Sequence, residues 1–111
     1  MTDTDLLIRQ FIGGDQAAAA RIADLARISD EPVLLVAAAL IDPATPGLLA
    51  RATALAVSTR DRQLTAIAAA HLDGDADRVN ALARDHLADH PGSLLVAWIA
   101  AVSPYPEGTP S

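Results

Sequence analysis

The chain has 111 residues and a formal charge of −6, with 14 acidic side chains against eight basic ones, all of them arginine. Hydrophobic residues make up 51% of it, but 25 of these are alanine, only Phe11, Trp98 and Tyr105 are aromatic, and there is no cysteine. Disulfides and thiolate chemistry are therefore excluded. The arginines (Arg9, Arg21, Arg27, Arg51, Arg60, Arg62, Arg78, Arg84) are too scattered among aspartates to neutralise nucleic acid or an anionic membrane surface.

A chain of this length fits one domain that buries about 65% of its unfolded surface. With so many alanines, the expected core is thin, made of helices that approach closely through small residues. The Ala-rich, Lys-free usage points to a high-GC bacterial genome. The N-terminus, Met1-Thr2-Asp3-Thr4-Asp5, is acidic where a signal peptide would be basic.

Taken in order, the punctuation predicts seven helices and no strand. The first runs over 4–12 and ends at Gly13-Gly14-Asp15, where Asp15 can cap the second, 16–28. Ser29-Asp30-Glu31-Pro32 then opens a helix over 32–41, with Pro32 suited to a first turn. Asp42-Pro43-Ala44-Thr45-Pro46 repeats the device, with Thr45 as the expected cap of a helix over 46–57. Ser58-Thr59 begins 60–72, Asp73-Gly74-Asp75 is a tight turn before 76–88, and Asp89-His90-Pro91-Gly92-Ser93 is the corner before 93–102. The longest apolar runs, Val33–Ile41 and Leu94–Val102, fall far short of the roughly 20 residues that span a bilayer. A soluble, cytoplasmic protein is expected, without a membrane or nucleic acid as partner.

The halves echo one another. Gly14-Asp15 and Gly74-Asp75 lie 60 residues apart, as do Leu34-Leu35-Val36-Ala37 and Leu94-Leu95-Val96-Ala97, and Asp30-Glu31-Pro32 answers Asp89-His90-Pro91. The expected domain is residues 1–102, with duplicated units over about 4–41 and 60–102, a bridging helix over 46–57, and a Pro-rich tail over 103–111. The stretch from Gly74 to Pro91, a Gly-Asp turn followed by a helix that a proline closes, resembles the second helix of a tetratricopeptide repeat. Residues 59–102 as a whole, opening on Arg60-Asp61-Arg62, are similar to bacterial tetratricopeptide repeat protein 38-like proteins. Gln63 and Ala70 stand where that repeat usually has aromatics, and Ala83 where it has Phe or Tyr. The resemblance implies antiparallel helix hairpins in a right-handed array, and protein–protein interaction without a reaction. The alternative architecture is a compact all-α bundle.

No catalytic constellation emerges. His71 lies three residues before Gly74 and His86 twelve after it. In an antiparallel hairpin that separates them by about nine residues, or roughly 13 Å, too far for one zinc ion. Both fit apolar stripes instead: Leu64, Ile67, Ala68, His71 and Leu72 on one helix, and Val79, Leu82, Ala83, His86 and Leu87 on the next. Each is expected to be a satisfied structural histidine, with His71, near the turn, the better candidate for a ligand contact. Asp73-x-Asp75-x-Asp77 has Arg78 and Arg84 where a calcium loop needs glycine and glutamate. Gly13-Gly14 lacks the strand and lysine of a phosphate loop, so no cofactor is expected. Arg60 and Arg62, at a helix start, are candidate anion or partner contacts.

The expected function is that of an adaptor or regulatory module that binds an unidentified protein and has no enzymatic activity. The alternative is a self-associating bundle with a small-molecule pocket. The helix over 93–102 is apolar all round, so a homodimer through Leu95, Trp98, Ile99 and Tyr105 is expected.

Overall fold

The computed structural model describes residues 3–45 and 47–102, which form seven helices and no strand. They are α1 (Asp3–Ile12), α2 (Gln16–Leu25), α3 (Pro32–Ile41), α4 (Leu48–Leu55), α5 (Thr59–Leu72), α6 (Ala76–Asp89) and α7 (Leu94–Val102). None is long and apolar enough to cross a membrane.

The two Gly-Asp turns are built alike, bond for bond. After α1, Gly14 N–H donates to Phe11 O (2.9 Å) and Asp15 N–H to Gln10 O (2.9 Å). After α5, Gly74 N–H donates to His71 O (3.1 Å) and Asp75 N–H to Ala70 O (3.0 Å). This pairing satisfies the last carbonyls of each helix and needs one left-handed residue, which Gly14 (φ 95°) and Gly74 (φ 77°) supply. The aspartate that follows caps the next helix: Asp15 accepts from the amides of Ala17 and Ala18, and Asp75 from that of Arg78.

Two helices, α2 and α4, differ from the sequence reading by two residues or more at an end, and α4 stops at Leu55 rather than 57. Helix α2 stops at Leu25 rather than 28, because Arg27 and Ile28 turn more tightly, donating to Asp24 O and Leu25 O. The carbonyls released there are taken by Arg51 of α4, whose Nη1 donates to Ala26 O (3.0 Å) and Nη2 to Ser29 O (2.9 Å). Helix α4 starts at Leu48, after Gly47 in a left-handed conformation (φ 87°). The expected cap, Thr45, instead gives its hydroxyl to the Asp42 carboxylate.

The packing follows one rule. Helices α1, α3, α5 and α7 form a closed inner ring, each touching the next, with α7 packed back against α1. The other three lie outside, each over a groove between two inner helices: α2 on α1 and α3, α4 on α3 and α5, α6 on α5 and α7. An open array would keep its first and last helices apart, so the contact of α7 with α1 identifies the compact bundle. The Cα radius of gyration, 13.4 Å, agrees with the roughly 13 Å expected of a compact chain of this length.

The core is thin, as the composition predicts. Ile22, Leu35, Ile67, Val79, Val96 and Ile99 are completely enclosed, and alanines such as Ala37, Ala38, Ala52 and Ala68 bring the helix backbones together. Burying a Leu or Ile side chain contributes about 1.5–3 kcal/mol. Helix α3 is covered on every side, with Leu34 through Ala39 all buried.

Candidate functional site

The inner helices begin at the same end of the ring, and a cavity of about 120 Å³ opens there. Its wall takes Asp5, Ile8 and Arg9 from α1, Val33 from the first turn of α3, Arg60 and Leu64 from the start of α5, and Gly92 through Leu95 where α7 begins. From the last turn of α6 comes His86. Neither the Arg9 nor the Arg60 guanidinium has an ion pair or hydrogen bond among the described residues.

His86 is 1% exposed. Its Nδ1 lies 2.7 Å from Gln63 Oε1, so Nδ1 carries the proton and donates to the amide oxygen. Nε2, on the opposite edge of the ring, is enclosed and has no partner among the described residues. Burial, then electrostatic repulsion by its neighbours His90 and Arg60, holds this imidazole below its ordinary pKa of 6.5, against a weaker opposing pull from Asp89. The His90 ring sits 4.9 Å away, tilted by 39°. His86 is therefore neutral, with a bare acceptor at Nε2. Being buried agrees with the sequence reading of a structural histidine, but only one of its two nitrogens is satisfied.

A second feature is the outer face of α7. Positions 60 apart on α3 and α7 share their inward residues: Leu35, Val36 and Ala39 are buried, and so are Leu95, Val96 and Ile99. The opposite face differs. Leu34 is 3% exposed but Leu94 is 43% exposed. Ala37 is buried while Ala97 is exposed, and Ala101 and Val102 are exposed as well. Helix α3 has one neighbour, α4, with no counterpart beside α7. The fourth groove of the ring, between α7 and α1, thus lacks an outer helix among the described residues. Phe11 of α1 and Trp98 of α7 hold the two helices together there, with ring centroids 5.1 Å apart, and both rings are half-buried.

The structure separates the residues that the sequence grouped. Of Arg60, Arg62 and His71, only Arg60 reaches the cavity, and His71 sits eleven residues further along α5, about 16 Å away. Arg62 is exposed elsewhere on the same helix. Leu95 and Ile99, expected at a dimer interface, face inward in their own chain, whereas Trp98 stays half-exposed. Tyr105 lies outside the described residues. The sequence reading missed Arg9, Gln63 and Ser93. A signal for Gln63 was present: it lies eleven residues before Gly74 and His86 twelve after, which places them level across the hairpin. Among the described residues, no group of three His, Asp or Glu is placed to hold a metal ion.

Compared with family models, curated proteins and solved structures, the chain finds no match.

Proposed function

We propose that the protein is a non-catalytic interaction module that receives one amphipathic helix of a partner protein in the groove between α7 and α1. The observation that carries this reading is the contrast between Leu34, 3% exposed, and its counterpart Leu94, 43% exposed. Three grooves of the ring are each filled by an outer helix of 8–14 residues, and the fourth presents the same kind of apolar floor. Small residues, Ala97 and Ala101, allow close approach, and the half-buried Trp98 offers the large flat contact common at the centres of interfaces. The scattered arginines and the charge of −6 favour a protein partner over nucleic acid.

A photo-crosslinking amino acid placed at the exposed Ala97 in the native cell tests this. The expected product joins Ala97 to a helical segment with an apolar stripe, and Ala101→Glu abolishes it without lowering the melting temperature. Crosslinks that survive Ala101→Glu, or that fall on unstructured segments, would overturn the reading. Self-association is the second form of the same reading, because the half-exposed Trp98 can also meet its own copy. It predicts a dimer mass by light scattering that reverts to monomer in Ala101→Glu.

A further inference from the structure

We propose that the cavity at the start of the inner helices is a binding site for a small hydroxycarboxylate. Arg9, Arg60 and the first-turn N–H groups of α7 would hold its carboxylate, and Nε2 of His86 its hydroxyl. The inference stands on the cavity alone and is independent of what occupies the outer groove.

Each part of the ligand follows from a different part of the wall. Two guanidiniums without partners among the described residues give the wall one net positive charge once Asp5 is counted and His86 is neutral. The beginning of α7 adds backbone N–H groups that have no intrahelical acceptor, and such groups favour an anion. A cationic ligand is disfavoured by the same features.

The second group is set by His86. Its Nδ1 proton is committed to Gln63, so Nε2 offers only a lone pair. A buried acceptor left unpaired is costly, and it takes a donor. A hydroxyl supplies one. A bare sulfate or carboxylate oxygen would meet it lone pair to lone pair. The remaining lining, including Ile8, Leu64 and Leu95, is apolar and suits a short carbon skeleton.

Size completes the description. The volume is about 120 Å³, and an apolar cavity of roughly 150 Å³ admits benzene, with its six heavy atoms. A three-carbon hydroxy acid also has six heavy atoms.

The test is a titration of the full chain with sodium lactate, sodium propionate and sodium sulfate, followed by ¹H–¹⁵N NMR. Lactate is expected to bind saturably, with shifts at the Gly92–Leu95 amides and the His86 ring. Propionate keeps the carboxylate but lacks the hydroxyl, and should bind at least about tenfold more weakly because Nε2 stays unpaired. Sulfate has no proton to give Nε2 and should bind more weakly than lactate. Arg60 is exposed, so Arg60→Gln should keep the melting temperature and lower lactate affinity at least tenfold, with Arg9→Gln as an independent second variant. The proposal fails if lactate does not saturate below roughly 100 mM, in which case Nε2 merely meets water. It fails equally if propionate or sulfate binds as well as lactate, or if neither arginine variant weakens binding.

Discussion

Leu34 of α3 and Leu94 of α7 lie 60 residues apart in the repeated Leu-Leu-Val-Ala run, and truncating each to alanine measures whether the fourth groove is open. Leu34 is 3% exposed, within a helix packed on every side. Leu34→Ala therefore loses nearly the full transfer free energy of the side chain and leaves a void, about 2–5 kcal/mol together. Leu94 is 43% exposed, so only a little over half of its surface is withdrawn from water, and the space vacated is open to solvent. With no enclosed cavity, Leu94→Ala should cost about 1 kcal/mol or less. Urea denaturation reports both, provided the slope with denaturant stays constant between variants. For a domain of about 100 residues each kcal/mol moves the melting temperature by roughly 4–8 °C, so the two variants are readily told apart by heating as well. Equal losses at the two positions would refute the reasoning, since they would mean that the outer face of α7 is already covered in the isolated chain.

Gly14→Ala and Gly74→Ala should each cost about 1–2 kcal/mol, and by similar amounts. Both turns use positive φ, and no atom lies within 4 Å of the added Cβ, so the penalty is torsional alone; urea melts check it, and a cost at one turn only would show that the two differ. Arg51→Ala should destabilise by roughly 1–3 kcal/mol by releasing the carbonyls of Ala26 and Ser29, and Arg51→Lys should not restore the loss, because one ammonium does not replace a two-pronged donor. Amide exchange at the end of α2 should rise in both variants. His86 has a folded pKa below its unfolded value of 6.5, so the unfolded chain takes up this proton more readily. Stability from this group is therefore complete above pH 6.5 and is lost as the pH falls below it; an NMR titration of the His86 ring with a midpoint above 6.5 would contradict this.

Seven helices were legible because glycines, prolines and capping side chains mark each end. Asp15 caps where its position predicts, and Ser58 and Asp75 cap the helices that the punctuation starts beside them. The misplaced end of α2 has a tertiary cause: it depends on Arg51, which arrives from 25 residues away. The closure of the ring was not legible, since it rests on α1 meeting α7, and no local pattern records a contact between the ends of a chain. The same limit scattered the candidate site. Arg60 stood out beside Arg62 as a neighbour in sequence, yet its neighbours in space are Arg9 and His86, supplied by other helices. His86 read as structural because its stripe is apolar, and burial was indeed its fate. What a stripe does not reveal is whether both nitrogens find partners.

The ring has a direction as well as a groove without an outer helix among the described residues. Its four inner helices begin at one end, and each outer helix, joined to its predecessor by a short turn, runs the opposite way. Peptide dipoles place about half an elementary charge at each helix terminus, positive at the start and negative at the finish. Side by side and opposed, α2, α4 and α6 offset the fields of α1, α3 and α5. The field of α7 has no such counterweight among the described residues. A helix that settles in the fourth groove should therefore prefer one polarity, with its C-terminal end beside the start of α7. That preference gives the surface a means of distinguishing a partner helix from the same apolar sequence presented in reverse.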